Sequence, residues 1–248
     1  NNSTLTVRTG SNVVAGGTQG MTFSTVTLNG SATFDVQNSA TATTRLTLGA
    51  FTDLAIAPRT INFTNTGAGT TNSIVTLTLA SVLSDGTIVN VNSGANAGVT
   101  LNMNTSSSVL GTLAQVNVNG SSVLNLGIAQ TFGSLSGNGN VTGAFVLTVG
   151  NSLNTPALSS DFSGVLGFGG VATGLTKNGL GTLTLSGANA YTGATLVSGG
   201  ILKLNNASAL GATSGVTIGA GATVDLNGQS TDRNFISING TGISSIGA

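Results

Sequence analysis

Histidine, cysteine, glutamate and tryptophan are all missing from this 248-residue chain. The Ser-His-Asp triad, the Cys-His pair and histidine-based metal sites are therefore excluded, and so are disulfides and thiolate metal centres. Charge is also scarce, at 5 % of residues against about 25 % in an average soluble domain. The six acidic groups are all aspartates, and the six basic ones are Arg8, Arg45, Arg59, Lys177, Lys203 and Arg233. With a net charge of zero the chain offers nucleic acid and anionic membranes no electrostatic attraction. Strong helix formers are nearly absent, whereas Thr, Val, Ser, Asn and Gly, which favour strands and turns, dominate. No apolar run approaches the roughly 18 residues of a membrane helix, so this segment is expected not to insert in a bilayer.

What the chain does have is regular alternation. Aliphatic pairs spaced by one residue recur from end to end, among them Leu5/Val7, Leu46/Leu48, Ile61/Phe63, Leu77/Leu79, Val116/Val118, Leu124/Leu126 and Val224/Leu226. This is the period of a half-buried strand, and its persistence separates the chain from a disordered Gly-rich tract. The strand candidates are four to seven residues long and end in Gly, Asn, Ser and Ala clusters. Asn-Gly pairs at Asn29, Asn119, Asn178, Asn227 and Asn239 supply corners that tolerate positive φ. Only Pro58 and Pro156 interrupt the pattern, each expected at a turn or sheet edge. No linker divides the chain, so residues 1–248 read as one continuous domain. Beginning at Asn1 and ending in SSIGA, it reads as a piece of a longer polypeptide.

Asn-Gly is also the strongest hairpin signal, which makes an antiparallel barrel or sandwich the rival fold. Spacing favours a solenoid. Leu185 to Leu204 is 19 residues and Leu204 to Leu226 is 22, close to one turn of a parallel β-helix. Lys203 and Asp225 then occupy equivalent outward positions in adjacent rungs and can pair. The fold class expected is all-β, a single-stranded parallel β-helix of right-handed sense with about ten to twelve rungs. Outward rows of Thr, Ser and Asn are expected to form side-chain hydrogen-bond ladders from rung to rung.

Few residues could carry chemistry. Asp35, Asp53, Asp85, Asp161 and Asp225 are isolated in sequence; only Asp225 and Asp232, beside Arg233, fall near one another. A glycosidase needs two carboxylates across a cleft, and a solvated corner with a local Asp-Arg pair is the better reading of these. The stretches GNGNVTG (Gly137 to Gly143) and GFGG (Gly167 to Gly170) echo phosphate loops, but no helix pattern follows either, so they read as turns. No clustered oxygen ligands suggest calcium. Tyr191, the single tyrosine, is expected to pack over a rung corner with its hydroxyl reaching water or backbone; a carbohydrate-stacking platform is the alternative. The nine phenylalanines are spread too evenly for a binding stripe, and most are expected in the core. No catalytic, cofactor-binding or metal-binding residue is assigned, and no cofactor is expected. Sequons such as Asn104-Thr105-Ser106 and Asn140-Val141-Thr142 leave glycosylation open.

One segment is more specific than the rest. LTKNGLGTLTLSGANAYTG (Leu175 to Gly193) followed by GGILKLNNASALG (Gly199 to Gly211) closely resembles the autotransporter-associated β-strand repeat, the passenger-associated repeat of very large bacterial secreted proteins. The resemblance is strongest over 174–211 and extends loosely to Thr131 upstream and Gly240 downstream. It implies secretion by the type V route, a cell-surface or extracellular location, and an outer-membrane translocator barrel outside this chain. The expected function is a non-enzymatic structural stem or fibre module that folds rung by rung. Two alternatives accompany it. The solenoid could stack end to end with copies of itself or with neighbouring segments through uncapped edges, or its Thr/Asn face could serve an adhesin or glycan-binding passenger.

Overall fold

Alternating strands with tight corners stack into a parallel β-solenoid. The structure is a computed structural model describing residues 2–8, 18–39, 42–53, 58–78, 86–103, 113–151, 157–231 and 236–239. Successive passes of the chain begin with β1 (Ser3–Arg8) and β2 (Thr18–Leu28), then β3 (Ala32–Gln37) and β4 (Thr43–Asp53). They continue with β5 (Thr60–Thr64) and β6 (Ser73–Leu77), and β7 (Ile88–Val91) and β8 (Val99–Met103). Three strands per pass follow: β9 (Gln115–Val118), β10 (Val123–Leu126) and β11 (Gln130–Phe132), then β12 (Ser134–Ser136), β13 (Asn140–Thr142) and β14 (Val146–Val149). The next pass holds β15 (Ser160–Phe162), β16 (Val165–Leu166) and β17 (Gly174–Lys177). The last passes are β18 (Thr182–Leu185) and β19 (Thr195–Val197), β20 (Ile201–Leu204) and β21 (Val216–Ile218), and β22 (Thr223–Asp225) and β23 (Ile236–Ile238).

Every strand pairing is parallel, and no helix occurs among the described residues. The Asn-Gly pairs at Asn29, Asn119, Asn178 and Asn227 thus turn the chain from one parallel strand towards the next instead of closing hairpins, while Gly240 lies outside the described residues. At Asn178-Gly179, for example, Gly179 has φ +69° and leads from β17 into β18. The longest ladder, β2-β4-β6-β8-β10-β13-β16, stacks seven strands, giving about seven turns in unbroken register. A second face carries β1-β3-β5-β7-β9-β12, and a bridge from Gly137 to Phe162 connects it to β15-β18-β20-β22. The third face is β11-β14-β17-β19-β21-β23. No single ladder reaches the about ten to twelve rungs expected from a uniform spacing. The rungs are uneven because the corners differ in length: Thr33 to Asn62 spans 29 residues, whereas Asn117 to Ser136 spans 19.

The inward positions form continuous apolar rows. Phe34 lies under Phe63, Val91 and Val118 in register, and Leu46 under Val75, Leu101, Leu124 and Val141. The Phe34 and Phe63 rings stack with centroids 5.5 Å apart. Burying each such side chain contributes on the order of 1.5–3 kcal/mol, repeated at every rung without any disulfide. Of the phenylalanines, Phe34, Phe63, Phe132 and Phe162 are buried, while Phe145 and Phe168 are exposed. Phe235 and the side chain of Phe51 lie outside the described residues, as does Pro156.

After β16 the seven-stranded ladder ends, yet its face is still covered. Segments 186–194 and 205–215 form no strands but stack on each other and on β16 through Ala190 N–H to Leu166 O (2.9 Å) and Ala212 N–H to Tyr191 O (2.8 Å). Tyr191, Ala209 and Leu210 carry the core forward there.

Candidate functional site

The segment with the strongest sequence signal, 174–211, is also where the solenoid changes from strand to irregular corner on one face. Thr182 to Leu185 and Ile201 to Leu204 stack residue for residue, Leu183 over Leu202 and Leu185 over Leu204. The alternation buries these four leucines. Asn189, buried in the intervening segment, ties three passes together: its Oδ1 accepts from Leu166 N–H (2.8 Å) and its Nδ2 donates to Ala209 O (2.6 Å). A short amide side chain serves here as a substitute rung for backbone that cannot pair with itself.

Tyr191 is fully buried, and its hydroxyl meets Thr195 Oγ1 at 2.9 Å, which in turn meets Thr213 Oγ1 at 3.1 Å. It fills a corner, as its sequence context suggests, but its hydroxyl is held by a side chain and its ring presents no face to solvent. A sugar therefore cannot stack on it. Gly167 (φ +72°) is what lets Tyr191 in, because a Cβ there would stand 2.3 Å from Tyr191 Cα. That places the GFGG stretch in a packing corner, with Gly169 and Gly170 open to solvent.

Lys177 is the residue that composition alone concealed. It occupies the inward parity of β17, two residues after buried Leu175, and is 2 % exposed. Among the described residues no carboxylate meets it. Its Nζ donates to Asn178 O (2.6 Å), Gly179 O (2.9 Å) and Gly199 O (3.1 Å). Burial pushes its pKa down from 10.5 to about 8. The signal was present in the strand period, since Leu175 and Lys177 must face the same way.

The aspartates do not converge on a catalytic pair among the described residues. Asp35 is buried on β3 and accepts from Gln37 Nε2 (2.5 Å), Thr66 Oγ1 (2.6 Å), Thr66 N–H (3.0 Å) and Thr64 Oγ1 (3.2 Å). Burial by itself would raise its pKa, but these donors from Thr66, Gln37 and Thr64 outweigh it and hold the carboxyl below the usual value. Asp161 accepts from Ser186 Oγ at 2.7 Å in the next pass. Asp225 meets Lys203. Asp85, Asp232, Arg233 and the side chain of Asp53 lie outside the described residues, as does the Asn104 sequon.

Outward-facing side chains form the ladders that the Thr, Ser and Asn content suggested. On the face of β3, Asn62 Nδ2 donates to Thr33 Oγ1 (3.1 Å), Asn90 Nδ2 to Asn62 Oδ1 (2.8 Å) and Asn117 Nδ2 to Asn90 Oδ1 (2.7 Å), and Ser136 Oγ donates to Asn117 Oδ1. A second runs through Asn119 and Asn92 at 2.9 Å, and a third through Asn125, Asn102 and Thr76. Asn62, Asn90, Asn117 and Asn102 each donate to one rung and accept from the next, so these rows are polar and uncharged and pair from rung to rung.

Residues 175–204, from the second residue of β17 to the last of β20, match the passenger-associated-transport-repeat family. That stretch is similar to a passenger-associated-transport-repeat. In structural terms the matched stretch runs from β17, the last strand of one pass, through the whole of the next, β18-β19, to β20, the first strand of the pass after it, with Lys177 and Tyr191 inside it. The chain is also similar to the adhesin BmaC autotransporter of Brucella suis biovar 1 (strain 1330), at 35 % identity over 100 residues. That match spans 40 % of this chain and 3 % of the relative. No solved structure matches the chain.

Proposed function

We propose that this chain is a structural, non-enzymatic stem segment of a secreted or surface-displayed bacterial autotransporter passenger. The transport repeat built in register into a parallel solenoid is the observation that supports it most directly. The similarity to a much longer autotransporter adhesin also supports it. Physically, each pass presents an apolar row and a backbone edge on which the next can dock, so a chain emerging in extended form folds progressively and without an external energy source. The reading implies a translocator barrel elsewhere in the full protein. Deleting residues 175–204 from the parent protein and measuring surface display by external protease accessibility tests it. Display and passenger folding are expected to fall; a variant displayed and protease-resistant at parental levels overturns the role of the repeat.

A second reading is adhesive. It is favoured by the name of the relative and by the uncharged Asn ladder on the β3 face. Binding to a glycan array that is lost when Asn62, Asn90 and Asn117 are replaced supports it, and background binding by the parent chain removes it.

A further inference from the structure

We propose that Lys177 is a latch between consecutive passes of the transport repeat, closing only when the following pass has seated. Two of its three carbonyl partners, Asn178 O and Gly179 O, lie beside it in sequence, but the third, Gly199 O, arrives 22 residues later. Its place in the inward row is between Val149 of the preceding pass and Val197 of the following one. Until Val197 stacks, one side of the ammonium is open to water; once it stacks, water is replaced by a single carbonyl dipole. The approach of the two turns depends on glycine. A Cβ on Gly200 would lie 2.3 Å from Gly179 O, and one on Gly199 would lie 3.2 Å from Gly179 N.

Among the described residues no charge compensates the ammonium. The elements packed against it, β14, β19 and the turns 178–181 and 198–200, hold no acidic or basic residue. The single tyrosine, Tyr191, is engaged with Thr195. Desolvation therefore dominates and pushes the pKa to about 8. In the unfolded chain the same group titrates near 10.4. Between those values the unfolded chain holds a proton that the folded chain has released, so stability rises with pH across that window and is flat in this respect below it. A neutral amine keeps two N–H donors for the carbonyls while shedding the cost of a buried charge, so the latch closes more readily as the proton leaves. This inference goes beyond the stem reading and does not depend on it.

The chain has only two lysines, so its lysine side-chain NMR signals are simple to assign. In the intact 248-residue chain, Lys177 is expected to titrate near 8. A titration near the ordinary value of about 10.4 overturns the latch without recourse to any variant. In K177M, amide exchange protection over 195–204 is expected to fall by about tenfold or more, the size of a lost hydrogen bond to a charged group, with β3 to β9 unchanged. The rise of the urea midpoint above pH 8 is expected to vanish with it. Unchanged protection in K177M, or a wild-type midpoint that does not rise, overturns the proposal.

Discussion

Lys203 and Asp225 are register partners in adjacent passes, and their side chains meet at 3.7 Å on the outer surface. Both are more than a third exposed, at 37 % and 44 %. The pair thus reports register more than it adds stability. A double-mutant cycle with K203M and D225N is expected to give a coupling of about 0–1 kcal/mol that shrinks in high salt. A coupling several times larger, or one insensitive to salt, contradicts an exposed pair.

The Asn ladder is a different case, because Asn90 both donates to Asn62 and accepts from Asn117. Asn90→Ala breaks two rungs at once and is expected to cost about 1–3 kcal/mol in urea unfolding. Asn125→Ala, at the end of a shorter row through Asn102, is expected to cost less. Equal losses at the two sites would show that the ladder adds nothing beyond a surface amide.

Asp35 supplies an acid-side signature. Its folded pKa is lowered, so its stabilisation is fully present above the unfolded value of about 3.9 and is lost as pH falls through the folded value. Denaturant midpoints measured from pH 6 downwards are expected to drop in the wild type. Asp35→Asn should lower the midpoint at pH 6 and flatten that slope. A variant with the same acid slope as the parent would place the titration elsewhere.

Tyr191 tests the irregular corner. Tyr191→Phe keeps the ring and loses the hydroxyl contact to Thr195, with an expected cost of about 1 kcal/mol. Tyr191→Ala empties a fully buried site and is expected to cost about 3–5 kcal/mol. Near-neutral behaviour of Tyr191→Ala in thermal unfolding would mean that segment 186–194 does not carry the core.

The primary sequence determined the parallel solenoid, and the reason is periodic. Alternation set which side chains face inward, Asn-Gly pairs set the corners, and the 19- and 22-residue spacings brought Leu185 under Leu204 and Lys203 beside Asp225. Composition by itself also excluded histidine- and cysteine-dependent catalysis. What only the tertiary structure decided is where the pattern is broken. Spacing could not give the rung lengths, because each corner carries a different number of residues without altering the strand period. Composition could not show that Lys177, one of the few charges, lies inside, because three backbone carbonyls from two separate turns meet only after folding. Nor could it show that Tyr191 is enclosed instead of exposed, since that depends on Gly167 making room from the preceding pass. Local periodicity is written residue by residue, whereas the satisfaction of a buried polar group is settled by what the next rung brings to it.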